Sequence, residues 1–491
     1  MKNKTVKMVL AVIVLVVCCV AYVGVKTYVA NQEQKESDQE EAEKTEVFSA
    51  SADDITSLNF VIEKNETTFE KDDDKWIKKD ETGFPVNQTT INDAVSAITT
   101  IDTDRVLTDV KDLSEYGLDN PSNTIQIVTS DKDGDQTTTL RIGDENISTQ
   151  QYYVSKDDDK NTVYLVDASC VEPFGKKLYD YAQQEDFPVI SDTNNISKVS
   201  VEGNDIQSYE LVKNSDTGFW NVCSGSDDEK ADSSKVSALT SLFSSLSYET
   251  FVNYNCKDKG QYGLDKPYAV ISADYKEEKE SSSDNTDNEE NNDSSEEKEP
   301  EMIDKQITIT VGDLAEGADR YVIVNDSNEV YTISGDSLSD FLDKSEEDFW
   351  DLTVSYVSKN DLSSLDINYE NNDYSFSVSR ETSKDDDGNE KETFSYQLNG
   401  DNIDENDFTP FYNKLTNMAG QRRLTDEFSP DNKPEMTVVF NKEDGNSLTV
   451  EYYSYDSNYY AVRVDNEKVY LVNKMTVKEM FDTFSKLADV K

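Results

Sequence analysis

Beyond residue 50, short runs of alternating polar and apolar residues recur along the whole chain. Ser57–Ile62, Thr124–Val128 and Thr162–Val166 are clear cases. This period-2 pattern is that of half-buried strands. Polar turns separate the runs, among them those around Asp133-Gly134 and Asp444-Gly445. Three stretches (91–101, 234–246 and 408–420) change to a helical period. A further helix is expected after each strand that contains Val-Tyr. The pattern predicts an α+β fold in which antiparallel sheets are covered on one face by helices.

The N-terminus follows a different rule. Met8 to Val25 carries no charge, and Lys2, Lys4 and Lys7 precede it. At about 1.5 Å per residue the run spans roughly 27 Å, close to the hydrocarbon core of a bilayer. The expected order is a cytoplasmic basic tail at 1–7, a transmembrane anchor at 8–25 and an acidic linker at 26–50. The bulk then lies outside a single-pass cell-membrane protein. Signal-peptide cleavage after Gly24 or Ala30 would put Tyr22 or Tyr28 where a small residue is wanted. Lipid attachment at Cys18 or Cys19 meets Val16-Val17 in the same role. The uncleaved anchor is the favoured reading.

A long internal period runs through the remainder. Trp76 precedes Tyr116 by 40 residues and Trp220 precedes Tyr262 by 42. Tyr-Gly-Leu-Asp-x-Pro occurs at Tyr116–Pro121 and again at Tyr262–Pro267. Gly143 lies 27 residues beyond Tyr116, and Gly312 lies 50 beyond Tyr262; the excess of 23 matches a Glu/Asp/Ser/Asn-rich insert at about 276–302. That insert lacks apolar residues to bury and is expected to be a disordered loop. Three related sheet-plus-helix units follow from this period: 51–190, 191–348 and a degenerate 349–491. The third keeps the opening strands, the helix and the closing Tyr459–Val472 segment, but not the Tyr-Gly-Leu-Asp motif.

Composition narrows the chemistry. The 491 residues include 47 basic and 102 acidic side chains, for a net charge of −55. Four lysines fall within residues 1–26, so the remainder holds 43 basic residues against 102 acidic and a net charge of −59. A nucleic-acid binder needs the opposite balance, and anionic lipid would be repelled. The chain has no histidine, which excludes Ser-His-Asp and Cys-His catalysis and imidazole-ligated metal. Beyond the anchor only Cys170, Cys223 and Cys256 remain, an odd number without a CxxC. Three buried thiols are favoured over a Cys223–Cys256 bridge.

Each motif has a plain structural reading. In Tyr-Gly-Leu-Asp-x-Pro a helical turn stops at a glycine with positive φ, the leucine folds back, and Asp-Pro starts the next strand. A ligand or catalytic role for Asp119 and Asp265 is the alternative. The acidic runs at 72–74, 131–135, 157–159 and 385–388 suggest calcium. Counted as an EF-hand loop from Asp131, however, Gly134 falls at the fourth position and Ile142 at the twelfth, where Gly belongs sixth and Glu twelfth. Paired tyrosines (Tyr152-Tyr153, Tyr452-Tyr453, Tyr459-Tyr460) read as strand packing, with a glycan or peptide platform as the rival. No Walker A, GxGxxG or GxSxG pattern occurs. No catalytic residue, cofactor site or metal site is nominated.

The anchor, the opening strand, Trp76 or Trp220, the Tyr-Gly-Leu-Asp-x-Pro motif, the Ile-Gly strand and the Tyr-Tyr-Val/Val-Tyr-Leu-Val pair together resemble the DUF4340 family, a domain of unknown function. The resemblance covers roughly 51–345 well and the rest weakly. It implies a membrane-anchored extracytoplasmic protein, often encoded beside ABC transporters, and supplies no catalytic residues. The expected function is a non-enzymatic accessory or scaffold subunit of an ABC-type transport system, with a permease or other envelope protein as partner. The alternatives are a cell-envelope hydrolase using carboxylates and a calcium- or glycan-binding surface module.

Overall fold

The computed structural model describes residues 44–132, 134–224, 227–279, 300–384 and 390–489. The expected tail at 1–7, the anchor at 8–25, most of the linker and the centre of the acidic insert lie outside the described residues. Among the described residues, no helix is long and apolar enough to cross a membrane.

The chain is built mostly of antiparallel sheet with few helices. Strand β1 (Thr45–Ser49) pairs with β5 (Thr100–Thr103). The first large sheet has the order β4-β3-β2-β7-β8-β9-β10-β6. Its strands are β2 (Ile55–Ile62), β3 (Asn65–Asp72), β4 (Lys75–Lys78), β6 (Val106–Leu107), β7 (Asn123–Asp131), β8 (Gly134–Asn146), β9 (Gln151–Lys156) and β10 (Val163–Asp167). In the second sheet, β11 (Ile196–Gly203), β12 (Tyr209–Lys213), β13 (Trp220–Ser224) and β14 (Asp227–Lys230) form the run β14-β13-β12-β11. Its other run, β16-β17-β18-β19-β15, uses β15 (Thr250–Asn253), β16 (Ala269–Glu278), β17 (Met302–Leu314), β18 (Arg320–Val324) and β19 (Val330–Ile333).

The third sheet comprises β20 (Leu362–Tyr369), β21 (Asn372–Lys384), β22 (Glu390–Leu398), β23 (Asp401–Ile403), β24 (Arg422–Leu424), β25 (Met436–Lys442), β26 (Ser447–Ser454), β27 (Tyr459–Val464) and β28 (Lys468–Asn473). Its order is β23-β22-β21-β20-β25-β26-β27-β28-β24. One plan underlies all three sheets. A meander runs outward from the first strand, a helix and a short edge strand follow, and a second meander starts on the first strand's other side. The first sheet lacks only the outermost strand of the first meander. In its place the Gln88 side chain accepts from the Trp76 N–H (2.8 Å) and donates to the Trp76 carbonyl (2.9 Å), which satisfies the edge of β4.

Local chemistry explains the elements. Strand β2 buries Ile55, Leu58, Phe60 and Ile62 and leaves the intervening residues half-exposed. The β2–β3 and β20–β21 turns place Glu63-Lys64 and Glu370-Asn371 at positive φ, as two-residue hairpins require. Asn87, Asp232 and Asp404 cap the helices Gln88–Ile98, Ser233–Leu242 and Glu405–Thr416. The first core packs Phe60 and Phe69 with Phe174, Tyr181 and helix residues Ile91 and Ile98. The third core gathers Phe376, Phe408, Phe411 and Phe484. Each such fully buried side chain contributes about 1.5–3 kcal/mol.

The fold divides into two compact units. One is Met1–Val189 with Ser245–Val270 and Ile307–Ser339; the other is Ile190–Ser244 with Ile271–Gln306 and Asp340–Lys491. The stretch 191–348, expected as one unit, is therefore apportioned between them.

Three expectations need correction. The linker does not reach residue 50, because Val47 and Phe48 of β1 are buried in the first core. The insert is shorter than 276–302, because β16 runs to Glu278 and the Lys279 N–H still donates to the Glu301 carbonyl (2.8 Å). No α-helix follows β10. Pro173 and Gly175 break the segment into 3-10 turns at Ala168–Cys170, Glu172–Phe174 and Leu178–Tyr181. The third unit, degenerate in sequence, keeps the strand order of the second, since the motif it lacks encodes a turn and not a strand.

Candidate functional site

The Tyr-Gly-Leu-Asp motif forms the same object twice. Leu113–Tyr116 is a 3-10 turn capped by Asp112, and it stops at Gly117 with φ 69°. Lys259–Tyr262, capped by Asp258, stops at Gly263 with φ 69°. Leu118 and Leu264 donate their backbone N–H to Leu113 and Lys259 (3.0 Å each) and bury their side chains. Each turn sits on a β-bulge, between Ile142 and Glu145 in β8 and between Val311 and Leu314 in β17. A Cβ on Gly143 would collide with the Tyr116 carbonyl, and one on Gly312 with the Tyr262 carbonyl. Below the turn glycines lie Asp144 and Asp313, whose carboxylates would stand 2.5 Å from a Cβ on Gly117 or Gly263. Tyr116 packs edge-on against Tyr153 (5.0 Å) and Tyr262 against Tyr321 (4.9 Å). Asp119 and Asp265 remain exposed. The motif therefore locks a turn onto a bulged strand.

The third sheet lacks this lock. Strands β26 and β27 pair without a bulge, and Tyr452-Tyr453 replace the glycine. Tyr452 enters the core, whereas Tyr453 packs against Phe428 (5.5 Å). The looser segment between β24 and β25 leaves a cleft of ≈ 610 Å³, walled by Leu424, Phe428, Tyr453 and Tyr455 and edged by Asp426 and Glu435. Arg463 donates to the Tyr453 hydroxyl (2.6 Å) and pairs with Glu451 (2.6 Å). Burial, and then the Glu451 charge, push the Tyr453 phenol above its ordinary range. The cleft joins an aromatic wall to an acidic rim. That combination suits a polar or cationic ligand.

A charged cluster joins the edge strands β14 and β24 and the strand beside the latter, β28. Glu229 accepts from Arg423 (3.0 Å) and Lys468 (2.5 Å). The Arg423 guanidinium stacks 3.6 Å over Trp350, and Lys230 pairs with Asp351 at 2.8 Å. Partial burial raises the Glu229 pKa, but the Lys468 hydrogen bond and the two cationic charges outweigh it, so the carboxyl titrates below its usual range. This is a structural joint: Glu229 bridges the two cations, and every charge in the cluster has an opposite partner. Sequence reading missed it, because three charges from distant strands leave no local pattern.

The other nominated features disperse. Asp73 and Asp157 are turn residues at positive φ, and Asp131 pairs with Gly134 in the β7–β8 hairpin. The run at 385–388 lies outside the described residues. Tyr452 and Tyr460 are core residues, in line with the packing reading of the tyrosine pairs. All three cysteines are free; only Cys256 is fully buried, and burial pushes the Cys223 thiol up to about 11. Among the described residues, no group of three Cys, Asp or Glu is placed to hold a metal ion.

Comparison with known proteins bears on the motif directly. The family model "Domain of unknown function (DUF4340)" matches residues 26–121, 76–267 and 220–432. Two of these segments begin at Trp76 and Trp220, and two end at Pro121 and Pro267, the landmarks of the internal period. No curated protein and no solved structure matches the chain. The matched segments span most of the sequence, and the chain belongs to the DUF4340 family.

Proposed function

We propose that this protein is a membrane-anchored extracytoplasmic scaffold, a non-enzymatic accessory subunit of an ABC-type transport system built from three related units. The observation that carries this reading is the repeated strand order of the three sheets. In it, motif residues that could have served chemistry serve packing instead: the glycines seat the turn, and Tyr452 and Tyr460 fill the third core. The uncharged run at 8–25 supplies the anchor, and the charge of −59 beyond residue 26 keeps a large surface soluble and away from anionic lipid. The transport association rests on what the family resemblance implies.

The test is crosslinking in native membranes followed by affinity purification of the full-length chain. Recovery of a transporter permease in stoichiometric amounts is the expected result. Recovery of no membrane partner across crosslinkers of different length and chemistry would refute the accessory role.

A further inference from the structure

The first two sheets treat the entrance to their middle helix alike. Val86, just before the Asn87 cap, forms an isolated antiparallel bridge with Ala182. The Asn87 N–H donates to the Tyr181 carbonyl (2.8 Å), and the Gln183 N–H to the Pro85 carbonyl (2.6 Å). In the second sheet, Ala231 precedes the Asp232 cap and bridges Trp350. There the Asp232 N–H donates to Phe349 (2.8 Å) and the Asp351 N–H to Lys230 (2.9 Å). In each case the segment after the last helical turns crosses the helix entrance as an extended strap, anchored by a buried aromatic, Tyr181 or Phe349.

The third unit departs from this. Ile403 precedes the Asp404 cap and corresponds to Val86 and Ala231. The final helix, Lys474–Ala488, stays helical through Leu487, which lies beside Ile403, whereas Ala182 and Trp350 have already left their helical turns for extended backbone. Backbone committed to helical hydrogen bonds cannot bridge a strand edge. Among the described residues, β23 is an outer edge of the third sheet, and Ile403 pairs there with Tyr396 of β22 on its inner side only. A groove of ≈ 400 Å³ lies there instead, lined by Leu398, Ile403 and Leu487 with Asp404 and Asp407 beside them.

We propose that this groove accepts an extended, basic segment of another polypeptide, which takes the strap's place by bridging Ile403. The strap geometry of the other two sheets shows what such an edge binds: a short extended backbone with one apolar anchor. The charge of the occupant follows from the rim. In the second sheet, the Lys230 ammonium donates to the carboxylate of the strap's Asp351 (2.8 Å). In the third, Asn402 stands at the position of Lys230 and the neighbouring charges are acidic, so complementarity calls for lysine or arginine. The site does not depend on whether the partner is a transporter.

The test uses the full-length chain in detergent and two labelled peptides with the same Ala-Phe-Trp-Ala core, one flanked by arginines and the other by glutamates. Fluorescence anisotropy should show saturable binding of the basic peptide, at least about tenfold tighter than the acidic one. Ile403→Asp should weaken that binding about tenfold even though it adds negative charge, because the apolar anchor site is lost. Asp407→Lys, an exposed change that leaves the cap and core untouched, should weaken it several-fold; Asp93→Lys, on the corresponding surface helix of the first sheet, should not. Equal binding of both peptides would overturn the proposal, as would equal effects of Asp407→Lys and Asp93→Lys. So would tighter binding by a folded Ile403→Asp, the mark of diffuse attraction to an acidic surface.

Discussion

The carbonyl oxygen of Tyr116 occupies the space that a side chain on Gly143 would need, and Tyr262 stands in the same relation to Gly312. In both copies of the motif, two glycines thus serve one contact from opposite sides. Gly117 or Gly263 lets the chain turn at positive φ, and Gly143 or Gly312 lets that turn approach the strand below. This explains why Tyr-Gly-Leu-Asp and Ile-Gly belong to one motif although the intervening chain differs in length. It also ties the family signature to stability.

Gly143→Ala should therefore destabilise the protein although its backbone φ is not in the left-handed region. The expected loss is ~1–3 kcal/mol from overpacking against a backbone atom. Gly175→Ala, where the nearest atom would lie 3.5 Å away, is the matched control and should be nearly neutral. Thermal melting of both variants compares them directly; equal midpoints would mean that the turn does not press on the bulge.

Gly117→Val adds a strained φ to a collision with Asp144 and should cost ~1–3 kcal/mol. Asp119→Asn should leave stability and partner recovery unchanged, because that carboxylate is exposed. A normally melting Asp119→Asn protein that lost its partner would reassign the aspartate to binding.

Glu229→Gln should break both ion pairs of the Arg423–Glu229–Lys468 cluster and cost about 1–2 kcal/mol, with solvent access to Lys468 keeping the figure low. The sign with pH follows from the lowered pKa. The stabilisation is fully present above the unfolded-state carboxyl pKa of about 4.5, and it is lost as pH falls through the lower folded value. Denaturant melts between pH 7 and 3 should show an acid-side stability loss that is smaller in Glu229→Gln. An unchanged slope would place the charge coupling elsewhere.

Replacing residues 280–299 with a short Asp-Gly turn should leave the fold intact. Strands β16 and β17 stay paired out to Lys279 and Glu301, with ion pairs between Lys276 and Asp304 and between Lys305 and Glu277. Closure cost grows only about 0.6 kcal/mol per doubling of loop length, so the shortened loop should be neutral or slightly stabilising. Circular dichroism and melting give the answer, and a variant that fails to fold would require the insert to be structural.

Protease applied to intact, wall-stripped cells should digest the chain down to a short N-terminal fragment if residues 8–25 span the membrane. Full protection in right-side-out membranes would place the bulk on the inner side instead.

The period-2 runs, the capped helices and the spacing of Trp76, Trp220 and the two Tyr-Gly-Leu-Asp turns were legible because each is a local property. Alternation, caps and positive-φ glycines act within a few residues. From them followed the antiparallel sheets, the two matched motifs and the family. Local signals could not reveal which distant segments meet. Val47 and Phe48 read as linker until their pairing with β5 put them in a core, and the helical pattern after β10 gave way to Pro173 and Gly175. The Glu229 cluster, the seating of the Tyr116 turn on Gly143 and the open edge at Ile403 all depend on strand neighbours far apart in sequence. Chain order leaves such neighbours undetermined, and only the packing of the sheets selects them.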